Sequence, residues 1–391
     1  MPASPAFSFP FPAIPVFGGG FMFDSATYNN AARVLSTIAP DLPADAALRK
    51  YLGLSRRLGP REKRAISRAV FTYFRWLRWV DEKASAQKQL EQAATLQERF
   101  GRDPKSIKPE TLAVRAVPDW LREEMELPIP FLQQLQREPA LWLRARPGKA
   151  DTLASALGHC ERTELAADAL RFGGMKDLFV TPEFHQGAFE IQDLASQLVG
   201  LACAPKPKET WWDACAGEGG KTLHLADQME NKGLIWATDR NPRRLETLKR
   251  RAARAKLYNF RTALWDGSAR LPNKTKFDGI LVDAPCSGVG TWQRNPHARW
   301  STSPDDVRDL ARTQLALLNH VVPALKPGGK LIYSVCTLTR AETTAVATAF
   351  SEAHPELTPL PLLGRAESQL TLWPHELNAN GMFLAAWQRP A

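Results

Sequence analysis

The sequence lacks the features of membrane-spanning and disulfide-stabilised proteins. No uninterrupted apolar stretch approaches the length of a membrane-spanning helix, about 18 residues. The five cysteines are an odd number and include no closely spaced pair, which argues against a disulfide framework or a zinc site. The first 21 residues carry no Lys or Arg, whereas a secretory signal begins with basic residues. These absences predict a cytoplasmic protein that binds no membrane and no metal.

The length of 391 residues predicts more than one domain, because one hydrophobic core rarely serves so long a chain. Residues 1–21 are rich in Phe, Pro and Gly, and we interpret them as a disordered leader, with Met22 as an alternative start. Residues 22–130 have helical periodicity, residues 131–190 have the mixed pattern of a small α+β module, and residues 191–391 alternate strands with helices.

The chain is basic. An excess of 51 Lys and Arg over 41 Asp and Glu gives a net charge of +10 and predicts a polyanionic partner, nucleic acid above all. The clearest helix begins at Pro60, since proline suits a first helical turn. On a helical wheel its apolar face carries Ile66, Val70, Tyr73, Phe74, Leu77 and Val80, and its basic stripe carries Arg61, Arg64, Arg68, Arg75 and Arg78. The stripe is either a solvated face or a surface for RNA phosphates.

The C-terminal half has the pattern of an α/β fold with a doubly wound, mainly parallel sheet. Asn241 before Pro242 predicts a helix start. A second helix is predicted from Ser303 to Leu325, ended by Pro327 and two glycines. Strands are predicted at residues 211–213, 234–239, 277–283 and 330–336. In the small module we predict strands at residues 141–146 and 178–180 and a helix at 150–160.

Two cysteines follow two of these apolar runs. Cys286 comes after the run at residues 277–283, and Cys336 ends the run at residues 330–336. Ligands of an open α/β sheet bind beyond the carboxyl ends of its strands. Two thiols at one rim therefore indicate a site built on sulfur chemistry, although a free cysteine is more often a buried packing residue.

The remaining signals favour a nucleotide cofactor. The first strand of the sheet runs into a glycine loop at residues 213–222, whose spacing is neither that of a dinucleotide fingerprint nor that of a P-loop. Glycines let the backbone approach a ligand closely. Acids end or follow successive strands at Asp213, Asp239, Asp266 and Asp283. Acids repel a pyrophosphate but suit a ribose diol and a positive sulfonium, so we predict S-adenosylmethionine.

Several motifs carry a resemblance to a known family. Residues 213–222, 283–290 and 333–337 resemble motifs of the Sun/RsmB-like family of RNA cytosine-5 methyltransferases, and residues 187–196 and 380–385 resemble its flanking segments. The resemblance covers residues 180–391. The helical part is similar, more weakly, to the NusB-like RNA-binding domain of the bacterial ribosomal RNA branch. Two positions depart from the family pattern, since Glu218 replaces a proline and Val335 replaces a threonine.

The resemblance implies a Rossmann-like class I methyltransferase domain, preceded by an all-helical NusB-like domain and a small α+β module. It implies S-adenosylmethionine-dependent methylation of cytosine C5 in RNA, with small-subunit ribosomal RNA as the expected substrate and a monomeric enzyme. Transfer RNA methylation and a non-catalytic role in ribosome assembly are the alternatives.

The resemblance also implies roles for individual residues. Cys336 is the expected nucleophile, Cys286 assists product release, Asp283 contacts the N3 edge of the base, and Lys221 activates a thiol or contacts substrate. The expected cofactor-binding residues are Asp213, Cys215, Ala216, Gly217, Gly219, Gly220, Lys221, Asp239, Arg244, Asp266 and Asp283. Four residues after the Cys286 loop either hold the target base or anchor their own loop: Arg294, His297, Arg299 and Trp300.

Overall fold

A computed structural model describes residues 23–55 and 57–391, which divide into two compact units. The first unit contains the described residues up to 139 together with Thr291–Ser303 and Pro374–Asn378. The second contains Ala140–Gly290, Pro304–Trp373 and Ala379–Ala391. The chain thus passes twice from the second unit into the first and back, a path that the linear pattern did not indicate. The predicted leader at residues 1–21 lies outside the described residues, and the predicted domain boundaries stay a prediction.

The described residues form sixteen α-helices and twelve strands. The helices are α1 Ser25–Leu35, α2 Ala44–Leu54, α3 Pro60–Arg75, α4 Ala86–Arg102, α5 Pro109–Arg115, α6 Leu121–Glu124, α7 Ile129–Leu135, α8 Ala150–Leu157, α9 Pro182–His185, α10 Leu194–Cys203, α11 Gly220–Gln228, α12 Pro242–Ala255, α13 Ala298–Ser301, α14 Pro304–Val321, α15 Thr344–Ala353 and α16 Pro374–Leu377. The strands are β1 Leu141–Ala145, β2 Cys160–Arg162, β3 Ala169–Phe172, β4 Phe189–Ile191, β5 Thr210–Asp213, β6 Leu234–Asp239, β7 Phe260–Leu264, β8 Phe277–Asp283, β9 Leu325–Val335, β10 Thr358–Pro359, β11 Gln369–Leu372 and β12 Met382–Gln388.

The first unit is helical. The predicted start of α3 at Pro60 is confirmed, and the carboxylate of Glu62 accepts a hydrogen bond from the Gly59 amide at 2.6 Å. Such a return bond satisfies an amide that the helix itself leaves unpaired. The predicted apolar face is buried at Ile66, Val70, Phe74 and Val80 and half-buried at Tyr73 and Leu77. This face packs against α1, α2 and α4 to form the core of the unit.

One position of the predicted basic stripe is wrong. Arg75 is buried, and its guanidinium donates to the side-chain oxygen of Gln97 and to the backbone carbonyl of Gln293. Burial lowers the pKa of Arg75 to about 10. The segment Thr291–Ser303 covers this position from more than 200 residues away in sequence. A helical wheel contains no information about such a distant partner.

The large sheet of the second unit confirms the predicted Rossmann-like α/β fold. Its order is β10-β12-β9-β8-β5-β6-β7, with β11 paired to β12. The five strands β5 to β9 pair in parallel, and β12 pairs antiparallel to β9. Because parallel strands end at one edge, the residues that follow β5, β6, β8 and β9 come to the same rim. A core rich in buried aromatic side chains, among them Trp212, Phe277 and Tyr333, fixes this arrangement.

The small module forms an antiparallel sheet of order β2-β3-β1-β4, and two predictions there were wrong. Residues 178–180 form a 3-10 turn, because the Asp177 carboxylate accepts from the Phe179 amide and favours a turn over a strand. The helix predicted at residues 150–160 ends at Leu157, where Gly158 adopts φ +67°. Glycine accepts such a positive φ, which other residues rarely adopt.

The helix α14 also ends earlier than predicted. It stops at Val321 and is followed by a 3-10 turn at Val322–Ala324, because Pro323 cannot supply a helical amide. Pro327 and its two glycines lie inside β9 rather than ending a helix. None of the helices in the described part of the chain combines the length and hydropathy of a membrane span.

Candidate active site

The two strand-end cysteines meet at the rim of the large sheet. Strands β8 and β9 are parallel neighbours, with Asp283 opposite Ser334. The loops that follow place the sulfur atoms of Cys286 and Cys336 3.2 Å apart. Both side chains are half-buried, whereas Cys203 is fully buried. The site therefore presents two adjacent thiols that an incoming ligand can reach.

The two sulfur atoms have unequal surroundings. The hydrogen bond to Cys336, burial, and the negative charges of Cys336 and Glu342 raise the pKa of the Cys286 thiol well above its ordinary value. Cys286 therefore stays protonated at neutral pH. A protonated sulfur in contact with a second sulfur can donate its hydrogen to a thiolate there.

An ion pair lies beside the thiols. Lys221 Nζ contacts Asp283 Oδ2 at 2.7 Å, and the Ser334 hydroxyl donates to Asp283 Oδ1 at 2.7 Å. Burial alone would lower the pKa of Lys221, but the charges of Asp283 and Cys336 outweigh burial and raise it. The lysine therefore stays a cation, and its ammonium stabilises negative charge on the Cys336 sulfur.

The glycine loop between β5 and α11 borders open space. A Cβ added at Gly217 or Gly220 would meet no atom within 4 Å, and Gly217 adopts φ +54°. At Gly219, by contrast, φ is +86° and a Cβ would lie 2.5 Å from Leu248. Backbone at this loop can therefore approach a bound molecule closely, which a side chain would prevent.

Asp239, at the end of β6, stabilises this loop through hydrogen bonds. Its carboxylate accepts from the amides of Gly217 at 3.0 Å and Asn241 at 2.7 Å. Arg244 Nη1 lies 4.0 Å from Asp239 Oδ2, and the Ala216 amide donates to the backbone of β6. The structure thus brings Ala216, Gly217, Asp239 and Arg244 together.

Asp213, Cys215 and Asp266 have different surroundings. Asp213 is fully buried and accepts from the Thr222 hydroxyl at 2.6 Å, and burial raises its pKa to about 7. Cys215 is half-buried against the core, and burial raises its pKa. Asp266 follows β7 and is exposed, with its carboxylate accepting from the Ser268 amide. Asp213 therefore supports the loop from within rather than facing a ligand.

The segment after the Cys286 loop acts mainly as an anchor within the first unit. Arg299 is fully buried and donates to the carbonyls of Ala116 and Leu135, each at 2.9 Å. The Trp300 indole donates to a carbonyl of α3 at 2.7 Å, and His297 packs edge-on against Phe74. Arg294 alone of the four is exposed.

The two departures from the family pattern differ in their exposure to solvent. Val335 is fully buried in the core, because strand alternation turns it to the face opposite Ser334. Glu218 is exposed, and its backbone carbonyl accepts from Arg251 at 3.0 Å. The hydroxyl that Val335 lacks would therefore lie in the core and not at the rim.

Sequence reasoning missed Ser287, Ser334 and Glu342, which contact the site through hydrogen bonds. The two serines could have been found from their positions in the sequence, since Ser287 follows Cys286 and Ser334 lies two positions before Cys336. Nothing distinguished Glu342 from a surface acid. No cluster of three or more metal-ligating side chains occurs over residues 23–55 and 57–391.

Known proteins match both the sequence and the fold. A family model described as 16S rRNA methyltransferase RsmB/F matches residues 200–388. The ribosomal RNA small subunit methyltransferase B of Shewanella oneidensis is 32% identical over 303 residues, covering 72% of this chain and 69% of that protein. The chain therefore belongs to the RsmB/F family of 16S rRNA methyltransferases. The probable ribosomal RNA small subunit methyltransferase B of Bacillus subtilis is 36% identical, over 61% of this chain and 56% of that protein.

Solved structures agree with the family assignment at the level of the fold. The crystal structure of PH0851 superposes with a TM-score of 0.76 at 23% identity, over 94% of this chain and all of that one. A methyltransferase homologue from Pyrococcus horikoshii superposes with a TM-score of 0.57 at 26% identity, over 67% of this chain and 90% of that one.

The cofactor of this methyltransferase family is S-adenosylmethionine, and the residues present fit it. The glycine loop leaves open space at Gly217 and Gly220. Asp239 and Asp283 supply carboxylates at the ends of β6 and β8, the strands on either side of β5, and these carboxylates suit a ribose diol and a sulfonium cation.

Proposed function

We propose that this chain transfers a methyl group to C5 of a cytosine in small-subunit ribosomal RNA, through a temporary bond between Cys336 Sγ and C6 of the base. The observation that carries the proposal is the 3.2 Å separation of the Cys286 and Cys336 sulfur atoms beside an ammonium group. One thiol suffices to attack a ring. A second thiol in contact with the first can assist its departure by donating a hydrogen bond to the leaving sulfur.

Cys336 begins the reaction. Its thiolate, stabilised by the Lys221 ammonium, adds to C6 and makes C5 a carbon nucleophile. The added electrons collect at N3, and in the proposed complex N3 lies beside the Lys221–Asp283 pair. Because Asp283 already accepts from Lys221 and Ser334, the proton offered to N3 comes from the ammonium. When bound, S-adenosylmethionine supplies the electrophilic methyl group.

Cys286 acts when the product leaves. After C5 has gained its methyl group, the C5 proton passes to water at the half-exposed rim, and the electrons left on C5 break the bond between C6 and Cys336 Sγ. The Cys286 thiol, 3.2 Å from that sulfur, donates a hydrogen bond to the departing thiolate. Its raised pKa keeps Cys286 in the protonated form that this role needs.

The first unit offers a surface for the RNA backbone. A groove of about 430 Å³ is lined by Lys63, Arg64, Arg68 and Arg294, with Phe71 among its apolar residues. Glu138 pairs with Arg68 at 2.5 Å, so the lining keeps a positive excess. Phosphates bind such grooves with a strength that falls as salt rises. This groove supports the phosphate-binding interpretation for Arg64 and Arg68 of the basic stripe.

We also propose that the protein acts in the cytoplasm. The test of its activity measures methyl transfer by the purified protein. Purified protein is incubated with labelled S-adenosylmethionine and either small-subunit ribosomal RNA or transfer RNA, and the modified nucleoside is identified by mass spectrometry. We expect 5-methylcytidine in the ribosomal RNA, and none with Cys336→Ala. Cys160→Ala is the matched control, because Cys160 is half-buried on β2 in the small sheet.

Four results would contradict the proposal in different ways. Modification of transfer RNA alone would change the substrate, and a different methylated nucleoside would change the reaction. RNA binding without cofactor turnover would indicate an assembly factor. Full activity of Cys336→Ala would remove the covalent mechanism.

A further inference from the structure

One fully buried carboxylate lies close to both cysteine loops and has no place in the proposed chemistry. Glu342 ends the 3-10 turn Arg340–Glu342, six positions after Cys336, and its side chain has no exposure to solvent. An acid is rarely buried unless its charge is compensated by hydrogen bonds or by a partner. The contacts of Glu342 therefore indicate what its charge stabilises.

Five side-chain and backbone donors converge on this carboxylate. Glu342 Oε1 accepts from the Ser287 amide at 2.8 Å and from Gln314 Nε2 at 2.9 Å. Glu342 Oε2 accepts from the Ser287 hydroxyl, from Thr337 Oγ1 at 3.1 Å and from Thr339 Oγ1 at 2.8 Å. An ionised carboxylate only accepts hydrogen bonds, so a ring of donors matches that form.

The donors belong to the two loops that carry the thiols. Ser287 directly follows Cys286, and Thr337 directly follows Cys336. Gln314 strengthens the link, because its side chain also donates to the carbonyl of Pro285 at 2.9 Å. Both loops are thus tied to one buried carboxylate on their inner side.

The Tyr333 hydroxyl supports this arrangement through hydrogen bonds to Gln314 and to the backbone of Glu342. The Tyr333 hydroxyl lies 2.9 Å from Gln314 Oε1 and 2.6 Å from the Glu342 carbonyl oxygen, and Tyr333 is itself fully buried in β9. Charge-assisted hydrogen bonds are about twice as strong as neutral ones. A network of this kind holds its members more rigidly than apolar contacts do.

We propose that Glu342 is a positioning residue, which holds the loops of Cys286 and Cys336 so that both sulfur atoms reach the same base. It does not touch substrate. The inference rests on the proposed function for its catalytic meaning, but the spacing of the thiols can be measured without any RNA.

The first test measures that spacing with phenylarsine oxide. The reagent's trivalent arsenic forms two arsenic–sulfur bonds with a close pair of thiols, taking both thiol hydrogens and releasing one water. We expect wild-type protein to bind one equivalent of the reagent. Either Cys286→Ala or Cys336→Ala should abolish this binding. Glu342→Gln keeps the shape of the side chain but removes the charge. It should slow capture about tenfold, because the amide nitrogen that replaces one carboxylate oxygen donates hydrogen bonds and so faces donors from the two loops.

The matched control is Glu352→Gln, which makes the same chemical change at an exposed position at the end of α15. It should capture the arsenical at the wild-type rate. Wild-type capture by Glu342→Gln as well would overturn the proposal, since the spacing would then not depend on this carboxylate.

The second test separates positioning from binding. With RNA and S-adenosylmethionine, Glu342→Gln should lower kcat by about 10- to 100-fold and leave KM for both substrates unchanged. The covalent enzyme–RNA complex should also persist longer, because Cys286 is displaced from the departing sulfur. A raised KM with unchanged kcat would contradict the proposal. If wild-type protein methylates no RNA but the arsenical results hold, the proposed function fails while the positioning role stands.

A second pair of variants serves if Glu342→Gln does not fold. Thr339→Val removes one donor to the carboxylate with little change of shape, and Thr339→Ser retains the hydroxyl. We expect slower arsenical capture and lower kcat for Thr339→Val than for Thr339→Ser. Equal values for the two variants would overturn the proposal.

Discussion

The ion pair between Lys221 and Asp283 allows a quantitative test of the site's electrostatics. The chain contains a second pair with the same nitrogen–oxygen separation of 2.7 Å, Lys249 and Glu246 on α12. The side chains of the site pair are 11% and 28% exposed, and those of the α12 pair are 49% and 61% exposed. The two pairs thus differ mainly in their access to solvent.

Solvent access determines the expected coupling energies. An exposed pair of this kind contributes about 0.3 to 0.5 kcal/mol. Breaking a buried pair costs about 3 to 5 kcal/mol, much of it from the charge left without a partner. Because Asp283 is partly exposed and keeps its bond from Ser334, we expect an intermediate coupling of about 2 kcal/mol.

The assay is a double-mutant cycle on the free energy of unfolding in urea. It uses Lys221→Met, Asp283→Asn and the double variant, with Lys249→Met, Glu246→Gln and their double variant as the matched cycle. In 1 M salt, where the screening length is about 3 Å, the α12 coupling should vanish while the site coupling largely persists. Equal couplings in the two cycles, or loss of both in salt, would refute the electrostatic reasoning.

Three further predictions concern the nucleophile, the RNA surface and pH. Cys336→Ala should retain binding of S-adenosylmethionine by calorimetry yet lose methyl transfer; retained transfer would contradict the assignment. Lys63→Glu with Arg294→Glu should raise KM for RNA at least tenfold and flatten its salt dependence; an unchanged salt dependence would exclude the groove. The pKa of Asp213, raised from 3.8 to about 7, means that the folded state binds the extra proton, so wild-type stability falls as pH rises through this range. The free energy of unfolding of Asp213→Asn, measured in urea relative to that of wild type, should therefore rise by up to about 4 kcal/mol between pH 4 and pH 8. A difference between variant and wild type that stays constant with pH would contradict the raised pKa of Asp213.

The sequence predicted the strand ends of the site well. Strands β6 and β8 end at Asp239 and Asp283 as expected, because apolar runs followed by an acid mark a buried strand reaching solvent. The meeting of Cys286 and Cys336 was also predictable, since parallel strands deliver their following residues to one edge. The resemblance then supplied roles that spacing alone leaves open.

Other features depend on contacts that are distant in sequence and were not predictable. Arg75 was expected on an exposed basic face, either solvated or bound to RNA phosphates, but Gln293, on a segment inserted after the Cys286 loop, covers it. Asp213 was expected to face the cofactor, yet it is fully buried and bonded to Thr222. Glu342 gave no signal because its five donors come from three separate segments of the chain.

The measurement that tests the central proposal most directly is mass spectrometry of Cys286→Ala after incubation with RNA and S-adenosylmethionine. Without the Cys286 thiol the departing sulfur loses its partner at 3.2 Å, so a stable protein–RNA complex should accumulate. Peptide mapping should place a 5-methylcytidine, linked through C6, on Cys336. Free product with no accumulated complex, or a nucleoside attached to any other residue, would contradict the proposed chemistry.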